Sequence, residues 1–551
     1  MDIKFGLEKY TYSPSRENRN GIPIWFCFPS TYMVGMSSLG YLSLFKELDT
    51  NDDVITERVF TDTEKTQIMP KNVELAGFSF SFEFDYLGVF KILEKYKIPF
   101  RSEDRDNEPL IFGGGPVLTA NPEPFADFFD FIILGDGENA FNEIVEAYKE
   151  ARTLSRKEKL LRLAEIPGIY VPSFYDVDYN QDGPIKSFIP KYLVAQDIIK
   201  KRVSNKLQNC IYSPIITEKS FFKNTFLIES ARGCPRKCRF CMASYLNLPA
   251  RYPSYESIIE AIELGLTKTH KIGLLGALIA DHPYFEDICR YLLEKRKTKE
   301  FELSVSSLRA DRISDLAVKT LVACGQKHAT ISIEAGSERL RKVINKNLSE
   351  TQIRESVQIA NKNGLKGLKI YGMLGLPTEE LHDIIDFINL IKIIKTENKG
   401  FELTLSISSF VPKANTPFQW VKREDSKSIK KKNELLKKEL AISGIKYKPT
   451  SARWDFIQTI ISRGDRRLST LIEITYKDNG SCESFKKYHS ELIDEGFNMP
   501  NLSWYTTREI PIEEKLAWDF IDSGVSKQSL IREYNNAFNL NNKDIVEIAK
   551  V

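Results

Sequence analysis

The sequence contains little of several things, and each shortage excludes a class of protein. A disulfide framework is excluded, because only 8 cysteines are spread over 551 residues and the first residues carry no secretory signal. No apolar run approaches the roughly 18 residues that a membrane span requires. The 78 Lys and Arg residues are balanced by 75 Asp and Glu, which is not the composition of a protein whose whole surface binds nucleic acid. We therefore expect a cytoplasmic protein that does not enter a membrane.

The sequence does contain a globular composition and a regular alternation of apolar runs with helical patterns. Apolar residues make up 42% and charged residues 28%. Over residues 1–170 the apolar runs 22–28, 74–80, 109–112 and 129–134 predict strands, with helices between them. This order predicts an α/β fold with a doubly wound parallel sheet. Ligands of such sheets bind beyond the carboxyl ends of the strands, where the sequence has glycine-rich turns.

The remaining chain divides into three parts. Residues 171–223 are irregular and predict a connector, residues 224–424 predict a barrel, and residues 425–551 predict a lysine-rich helical C-terminal domain. The strands predicted in the barrel are residues 226–229, 271–275, 302–306, 329–333, 366–371 and 402–406. Six such units form a partial (β/α)6 barrel of the TIM type, whose chemistry is expected at the C-terminal ends of the strands.

The most informative segment holds three cysteines, Cys234, Cys238 and Cys241, with the spacing C-x3-C-x2-C. Three thiolates on one short loop can hold three irons of a cubane cluster and leave the fourth iron open. The alternative is a zinc site with three cysteines and one histidine, but none of the 5 histidines follows at the spacing of a zinc knuckle. The other cysteines have apolar or mixed neighbours, which is typical of buried thiols. They are Cys27, Cys210, Cys289, Cys324 and Cys482.

Basic residues in and beside this loop are expected to favour the ionised form of the thiols, because positive charge stabilises a thiolate. They are Arg232, Arg236, Lys237 and Arg239.

With Phe240 before the last cysteine, the loop resembles the C-x3-C-x-aromatic-C signature of the radical S-adenosylmethionine (radical SAM) superfamily. The resemblance implies a [4Fe-4S] cluster on Cys234, Cys238 and Cys241, whose open iron binds the amino and carboxylate groups of S-adenosylmethionine. It also implies that one electron, from a small donor of the flavodoxin or ferredoxin type, cleaves the cofactor to methionine and a 5′-deoxyadenosyl radical.

The same resemblance assigns S-adenosylmethionine binding to residues of the loop and of three strand ends. They are Phe240, Met242, Gly276, Glu334, Arg339 and Gly375. Two of them have a simpler alternative, because Glu334 also suits a helix N-terminus and Gly375 a strand-to-helix turn. Residues 273–278 depart from the family, since they lack the carboxylate that often holds the methionyl amine. Backbone carbonyls, Asp281 or His282 are the candidates to replace it.

The N-terminal domain resembles the cobalamin-binding domains of the B12-dependent radical SAM subclass, in which small residues let the backbone approach a large flat ligand. The positions that the resemblance assigns to cobalamin are Tyr32, Gly35, Ser79, Ser81, Gly113, Gly114 and Gly135. Tyr32 stands where other B12 proteins carry the histidine that binds cobalt. We therefore expect cobalamin without a histidine ligand, its lower face shielded by the ring of Tyr32. Two alternatives stay open: a domain that binds cobalamin, and a domain that keeps the fold without it.

Three further segments extend the resemblance over almost the whole chain, to a family of B12-type radical proteins with no assigned substrate. They are residues 410–420, with Thr-Pro-Phe-Gln-Trp, residues 461–467, and residues 518–527, with Asp-Ser-Gly-Val-Ser-Lys. The charged residues of the second segment either line a substrate mouth or form a structural ion network. They are Arg463, Asp465, Arg466 and Arg467.

The function that these resemblances imply is radical chemistry, with cobalamin-dependent methyl transfer to an unactivated carbon as the use that fits all parts of the chain. One alternative is a cobalamin-independent radical SAM enzyme that acts on RNA or a small molecule. Another is a non-enzymatic iron–sulfur redox or binding protein. A methylthiotransferase is disfavoured, because it would carry a second three-cysteine cluster, whereas only Cys27 precedes Cys210 here. Nothing in the composition indicates a nucleic-acid partner.

Overall fold

The computed structural model describes residues 8–14, 20–181, 183–204, 207 and 209–548, with residues 540–548 described by their backbone alone. Within these residues, no helix is both long enough and apolar enough to cross a bilayer.

The N-terminal part is a six-stranded sheet with helices on its faces. Its strands are β2 (Ile22–Phe28), β3 (Val54–Phe60), β4 (Leu75–Ser79), β5 (Leu110–Gly114), β6 (Phe131–Ile133) and β7 (Ile169–Tyr170). A short strand outside this sheet, β1 (Lys9–Tyr10), precedes them. The helices are α1 (Tyr32–Gly35), α2 (Leu39–Asp49), α3 (Asp85–Lys95), α4 (Pro116–Ala120), α5 (Ala140–Ala151) and α6 (Arg156–Ala164). The strand order is β3-β2-β4-β5-β6-β7, parallel except for β7.

This topology confirms the doubly wound sheet that the alternation of apolar runs predicts. The chain runs from β2 outward to β3 and then returns to β4 on the other side of β2, so the strand order reverses between β2 and β4. Both faces of the central strands are covered, which is why Trp25 and Phe26 are both buried and the strand is a continuous apolar run. In such sheets the point of reversal opens a crevice at the carboxyl ends of the strands.

The connector contains only short strands. They are β8 (Tyr175–Tyr179), β9 (Ile185–Pro190), β10 (Ile199–Lys200), β11 (Ile211–Tyr212) and β12 (Ile215–Ile216). Strands β8 and β9 form a hairpin, and β12 pairs with β1. Strand β11 joins the barrel as an antiparallel edge strand, so the connector is built into the neighbouring sheets rather than hanging between them.

The six predicted barrel strands are all present, and a seventh parallel strand follows them. The strands are β13 (Thr225–Ala231), β14 (Lys271–Gly276), β15 (Glu302–Val305), β16 (His328–Glu334), β17 (Gly367–Leu374), β18 (Glu402–Ser409) and β19 (Lys446–Pro449). The helices are α7 (Tyr255–Lys268), α8 (Phe285–Thr298), α9 (Asp315–Ala323), α10 (Glu338–Val343), α11 (Glu350–Lys362), α12 (Leu381–Glu397) and α13 (Ser426–Ile442). Two four-stranded half-sheets, β11-β13-β14-β15 and β16-β17-β18-β19, meet at a bridge between Leu308 and Ile331.

The segment after α13 is mostly helical, as predicted, but it also supplies two strands. Its elements beyond β19 are α14 (Ala452–Ser462), α15 (Leu468–Lys477), α16 (Cys482–Asp494), α17 (Leu502–Thr506), β20 (Ile521–Asp522) and α18 (Lys527–Ile548). Helices α14–α16 share one apolar core with the N-terminal sheet, and β20 pairs with β10 of the connector. The C-terminal segment therefore holds the N-terminal sheet, the connector and the barrel together.

The charged segment 461–467 forms the structural ion network that was one of its two expected roles. Arg466 pairs with the buried carboxylate of Glu123 at 3.1 Å, and Arg467 pairs with Asp465 at 2.7 Å. The first pair joins the turn before α15 to the N-terminal part, and the second lies within that turn.

Candidate active site

The three cysteines of the C-x3-C-x2-C motif lie on the loop after β13, at the carboxyl end of the barrel strands. Cys234 and Cys238 are buried and Cys241 is half-buried. The loop is tight, because the amide of Cys241 donates to the carbonyl of Cys238 at 3.0 Å. Gly233 has a φ of +75°, and a Cβ there would lie 2.3 Å from the carbonyl oxygen of Asn247. Only glycine fits, so the strand can turn directly into the motif.

The basic residues of the loop mostly bind carboxylates and carbonyls, which corrects the expectation that they serve the thiols. Arg239 donates to the carbonyl of Val343 at 2.6 Å, and Lys237 is exposed. Arg236 pairs with Asp281 at 2.6 Å, although it also lies near enough to Cys234 to interact with its charge.

The cations near Cys238 come from elsewhere in the sequence. Burial raises the pKa of Cys238 to about 11, and Lys346 and Arg309 oppose that shift. Both residues are far from the motif in sequence, so no local pattern could have identified them.

The three thiols lie close to one another, as a shared metal centre would require. Cys238 lies near enough to Cys234 and Cys241 for their charges to interact. A zinc site needs its ligand atoms about 2.0–2.3 Å from one centre, whereas a cubane binds each thiolate to a different iron. The loop therefore fits a [4Fe-4S] cluster.

Glu334 lies at the carboxyl end of β16, next to the cysteine loop. The pairing with β17 shifts register between Ser332 and Glu334, and Glu334 has a φ of +68°, which is uncommon for a residue with a side chain. Its carboxylate accepts a hydrogen bond from Lys346 at 3.1 Å, the same cation that influences Cys238. The helix that follows is capped by Ser337 rather than by Glu334. Strained backbone of this kind concentrates at functional sites.

Arg339, a second predicted S-adenosylmethionine residue, has structural partners instead. Its guanidinium donates to the carbonyl of Thr378 at 2.7 Å and pairs with the fully buried carboxylate of Asp383 at 2.5 Å. These bonds tie α10 to the loop between β17 and α12. The guanidinium of Arg339 therefore binds protein groups that hold this loop against the barrel.

The other residues assigned to S-adenosylmethionine lie in different environments. Phe240 and Met242 are half-buried and pack against two separate apolar clusters. Gly276 lines a large cavity beside the loop. Gly375 has a φ of +76°, and a Cβ there would lie 2.7 Å from the side chain of Ile429 on α13. Packing at a strand-to-helix turn therefore explains Gly375.

The two side chains considered as replacements for the missing carboxylate are both engaged. Asp281 pairs with Arg236 and with Arg312, the latter at 2.8 Å. The ring of His282 is hydrogen-bonded to the carbonyl of Pro253 at 3.0 Å, and burial lowers its pKa. Of the candidates, this leaves the backbone carbonyls.

A cavity of about 470 Å³ separates the carboxyl edge of the N-terminal sheet from the cysteine loop. It lies at the point where the strand order reverses, since it reaches Phe26 on β2 and Phe78 on β4. Aromatic and aliphatic side chains form its inner part, and backbone of the Gly233 and Gly276 turns forms its barrel side. Gly40, inside helix α2, faces open space, because a Cβ there would have no neighbour within 4 Å. The cavity can therefore admit a large, flat ligand.

Three of the seven residues assigned to cobalamin line this cavity, namely Ser79, Gly114 and Gly135. The other four lie elsewhere. The space beside Gly113 is occupied by Leu118 and Phe129, whose atoms would lie 2.6 and 2.8 Å from a Cβ at that position. Gly35 is likewise packed against Phe60.

Tyr32 and Ser81 also point away from the cavity, which corrects the expectation for the lower face of cobalamin. The hydroxyl of Tyr32 donates to Glu8 at 2.5 Å, and its ring packs against Phe60. Ser81 is exposed, and its amide donates to Asp85 at 2.6 Å. The sequence aligns Tyr32 with the histidine ligand of other B12 proteins. In the structure Tyr32 begins helix α1, and its ring packs against Phe60 instead of lining the cavity.

A network of ion pairs that the sequence analysis missed joins the two walls of the cavity. Arg232 beside the cysteine loop pairs with Glu229 at 2.8 Å, Glu138 at 2.7 Å and Asp136 at 3.2 Å. Arg251 also pairs with Asp136, at 2.6 Å. Burial alone would raise the pKa of Asp136, but these two arginines hold it below its ordinary value. The turn after β6 is thus fastened to the cysteine loop.

Comparisons with known proteins agree with this geometry. The model of the radical SAM superfamily matches residues 228–391, which include the cysteine loop, and the model of the N-terminal part of radical SAM proteins matches residues 40–172. The chain is a radical SAM protein. The family is one of enzymes that use a [4Fe-4S] cluster and S-adenosylmethionine and need an electron donor.

Two relatives of this radical SAM protein come from archaea. An uncharacterised protein of Methanocaldococcus jannaschii is 29% identical over 465 residues, which cover 84% of this chain and 93% of the relative. An uncharacterised methyltransferase of Pyrococcus horikoshii is 22% identical over 319 residues, which cover 56% of this chain and 63% of the relative.

One solved structure shares the fold along nearly the whole radical SAM chain. The cobalamin-dependent S-adenosylmethionine radical enzyme OxsB with aqua-cobalamin bound aligns with 96% of this chain and 81% of its own, at 12% identity and a TM-score of 0.50. This likeness confirms the predicted fold class.

Proposed function

We propose that this radical SAM enzyme transfers a methyl group to an unactivated carbon, with cobalamin bound in the cavity beside the cysteine loop. The proposal rests on one observation, which is that the cysteine loop and the N-terminal sheet line the same cavity. The turn of Gly233, next to Cys234, lines the same cavity as Ser79, Gly114 and Gly135 of the N-terminal sheet. The names of two similar proteins support it, since OxsB is described as cobalamin-dependent and the Pyrococcus horikoshii relative as a methyltransferase.

In this proposal Cys234, Cys238 and Cys241 hold the cluster, and Glu334 contributes to the S-adenosylmethionine site. When bound, the cluster and S-adenosylmethionine supply a carbon radical, and cobalamin supplies the methyl group. The protein's own contribution is to fix the two sites relative to each other. Arg232 does so directly, because it adjoins the cysteine loop and is paired with Asp136 and Glu138 of the opposite wall.

The cavity residues fit a corrinoid on two observations. The walls are glycine-rich where a flat ligand would need close backbone approach, and Gly40 leaves open space although glycine is unfavourable inside a helix. The inner part is aromatic and aliphatic, with side chains such as Phe112 and Phe141, and can bury an apolar ring.

Three further assignments accompany the proposal: the reductant, the cellular compartment and the domain boundaries. The reductant is a small protein of the flavodoxin or ferredoxin type, and the enzyme works in the cytoplasm, where thiols stay reduced. The domain boundaries are residues 170 and 223, and the boundary expected at 424 moves to the end of β19, because β19 pairs with β18 of the barrel.

The proposal is tested by measuring iron, sulfide and corrinoid on one anaerobically purified and reconstituted sample. We expect about four irons, about four sulfides and one corrinoid for each chain, since the cysteine loop offers ligands for one cubane and the cavity beside it would hold one corrinoid. A fully loaded cluster with no corrinoid retained would remove the methyl-transfer proposal and leave the radical SAM assignment standing.

Glu334→Gln is expected to weaken S-adenosylmethionine binding by about tenfold, equivalent to about 1.4 kcal/mol, while leaving the cluster spectrum unchanged. The variant keeps the size of the side chain and removes the charge beside Lys346. The measurement is equilibrium binding of S-adenosylmethionine to the reconstituted enzyme. Glu338→Gln is the matched control, because Glu338 is an exposed carboxylate paired with Lys342 on the helix surface. Equal dissociation constants for both variants and the wild type would make Glu334 a purely structural residue.

A further inference from the structure

The half-sheet β16-β17-β18-β19 has one apolar face and one polar face. Alternate residues such as Ile331, Ile370 and Leu405 are buried in the core shared with the helices. The residues between them face the inside of the barrel and form two rows across the strands. One row is Thr330, Lys369, Thr404 and Lys446, and the next is Ser332, Tyr371, Ser406 and Lys448.

This inner face differs from that of an ordinary (β/α) barrel. Parallel strands covered on both sides are near-continuous apolar runs, and layers of branched side chains fill the usual barrel interior. Here every inward residue of the two rows is a hydroxyl or a lysine, and Tyr371 is 38% exposed. The inside of the barrel is therefore open to solvent and lined with hydrogen-bond donors.

The rows also carry an excess of positive charge. Lys446 is paired with Glu402 at 3.4 Å, but among the described residues no carboxylate forms an ion pair with Lys369 or Lys448. The ammonium of Lys369 lies 3.3 Å from the hydroxyl of Tyr371 and over its ring. Two lysines beside several hydroxyls suit a phosphate group, which lysine binds as a point charge.

We propose that the barrel interior binds a small phosphorylated substrate, whose phosphate is held by Lys369 and Lys448 with the hydroxyls of Tyr371 and Ser406. This inference rests on the proposed function, since it names the substrate class of the same enzyme. Lys369 lies three residues before Gly372, which pairs with Glu334 at the top of the barrel. At about 3.3 Å for each residue, Lys369 lies about 10 Å along the strand from the level of Glu334.

The test is calorimetric titration of the full chain with inorganic pyrophosphate, at low ionic strength. We expect binding to the wild type and at least tenfold weaker binding to the Lys369→Gln, Lys448→Gln double variant. The matched control is Lys319→Gln with Lys431→Gln, which removes the same charge from exposed positions on the outer helices α9 and α13. This control should bind like the wild type. Both lysines of the test pair have solvent-accessible side chains, so the double variant should keep the wild-type unfolding midpoint, measured alongside.

Three results would overturn the inference. They are no binding to the wild type, equal binding to the wild type and the double variant, or tighter binding of tricarballylate than of pyrophosphate with the same loss in the double variant. The last would assign the rows to a carboxylate. The titration needs neither the cluster nor its reduction, so its failure is separate from a failure of S-adenosylmethionine cleavage, which tests the proposed function.

Discussion

Replacing Cys234, Cys238 and Cys241 together by alanine is expected to remove the iron–sulfur cluster completely, and with it the cleavage of S-adenosylmethionine. In the proposed site each of the three thiols holds a different iron, so the triple variant lacks every cysteine ligand of the cluster. Glu334 and Lys346, which form an ion pair beside the loop, have no thiol that could replace a lost cysteine ligand. The measurements are iron and sulfide for each chain and the visible absorption of the anaerobic protein.

The matched control is the triple variant Cys27→Ala, Cys289→Ala and Cys324→Ala, which removes three buried thiols from the apolar cores. It should keep its iron, although cavity formation in the core will lower its stability somewhat. Four irons for each chain in the Cys234, Cys238 and Cys241 variant would contradict the assignment of the cluster.

Gly40→Phe is expected to abolish corrinoid binding without loss of iron. Gly40 is in helix α2 and faces the cavity, where a new side chain would meet nothing within 4 Å of its Cβ. The phenyl ring can therefore enter the cavity without displacing the helix, and it fills the space that the ligand needs. The measurement is the corrinoid retained after loading and gel filtration, together with the iron content of the same sample.

Gly40→Ala is the control for this prediction. It adds one methyl group to open space and replaces glycine inside a helix, so it should stabilise the protein by about 0.4–1 kcal/mol and leave corrinoid binding nearly unchanged. Retention of a full equivalent of corrinoid by Gly40→Phe would show that the ligand does not occupy this cavity.

Features that depend on local spacing could be predicted from the sequence. The six barrel strands and the doubly wound sheet follow from apolar periodicity, and the cysteine motif follows from its spacing. Strand β19 was missed because Lys446, Tyr447 and Lys448 alternate polar and aromatic side chains, and no apolar run distinguishes them from the lysine-rich helix before them.

Features that depend on which distant residues meet could not be predicted in the same way. The cations near Cys238 come from Arg309 and Lys346, and the partners of Arg232 include Asp136 and Glu138, about 95 residues earlier in the chain. For Tyr32 the error is different, because the sequence predicted a role in the cavity that its position in the structure does not allow. A spacing that fits a motif does not determine the direction of a side chain, and tertiary packing against Phe60 turned this ring away from the cavity.

Product formation from S-adenosylmethionine alone tests whether the cysteine loop makes this chain a radical enzyme. The anaerobically reconstituted and chemically reduced protein should release 5′-deoxyadenosine and methionine in equal amounts, with none released when the reductant is omitted. A protein with four irons for each chain that is fully reduced and forms no 5′-deoxyadenosine would show that the cysteine loop does not support radical chemistry.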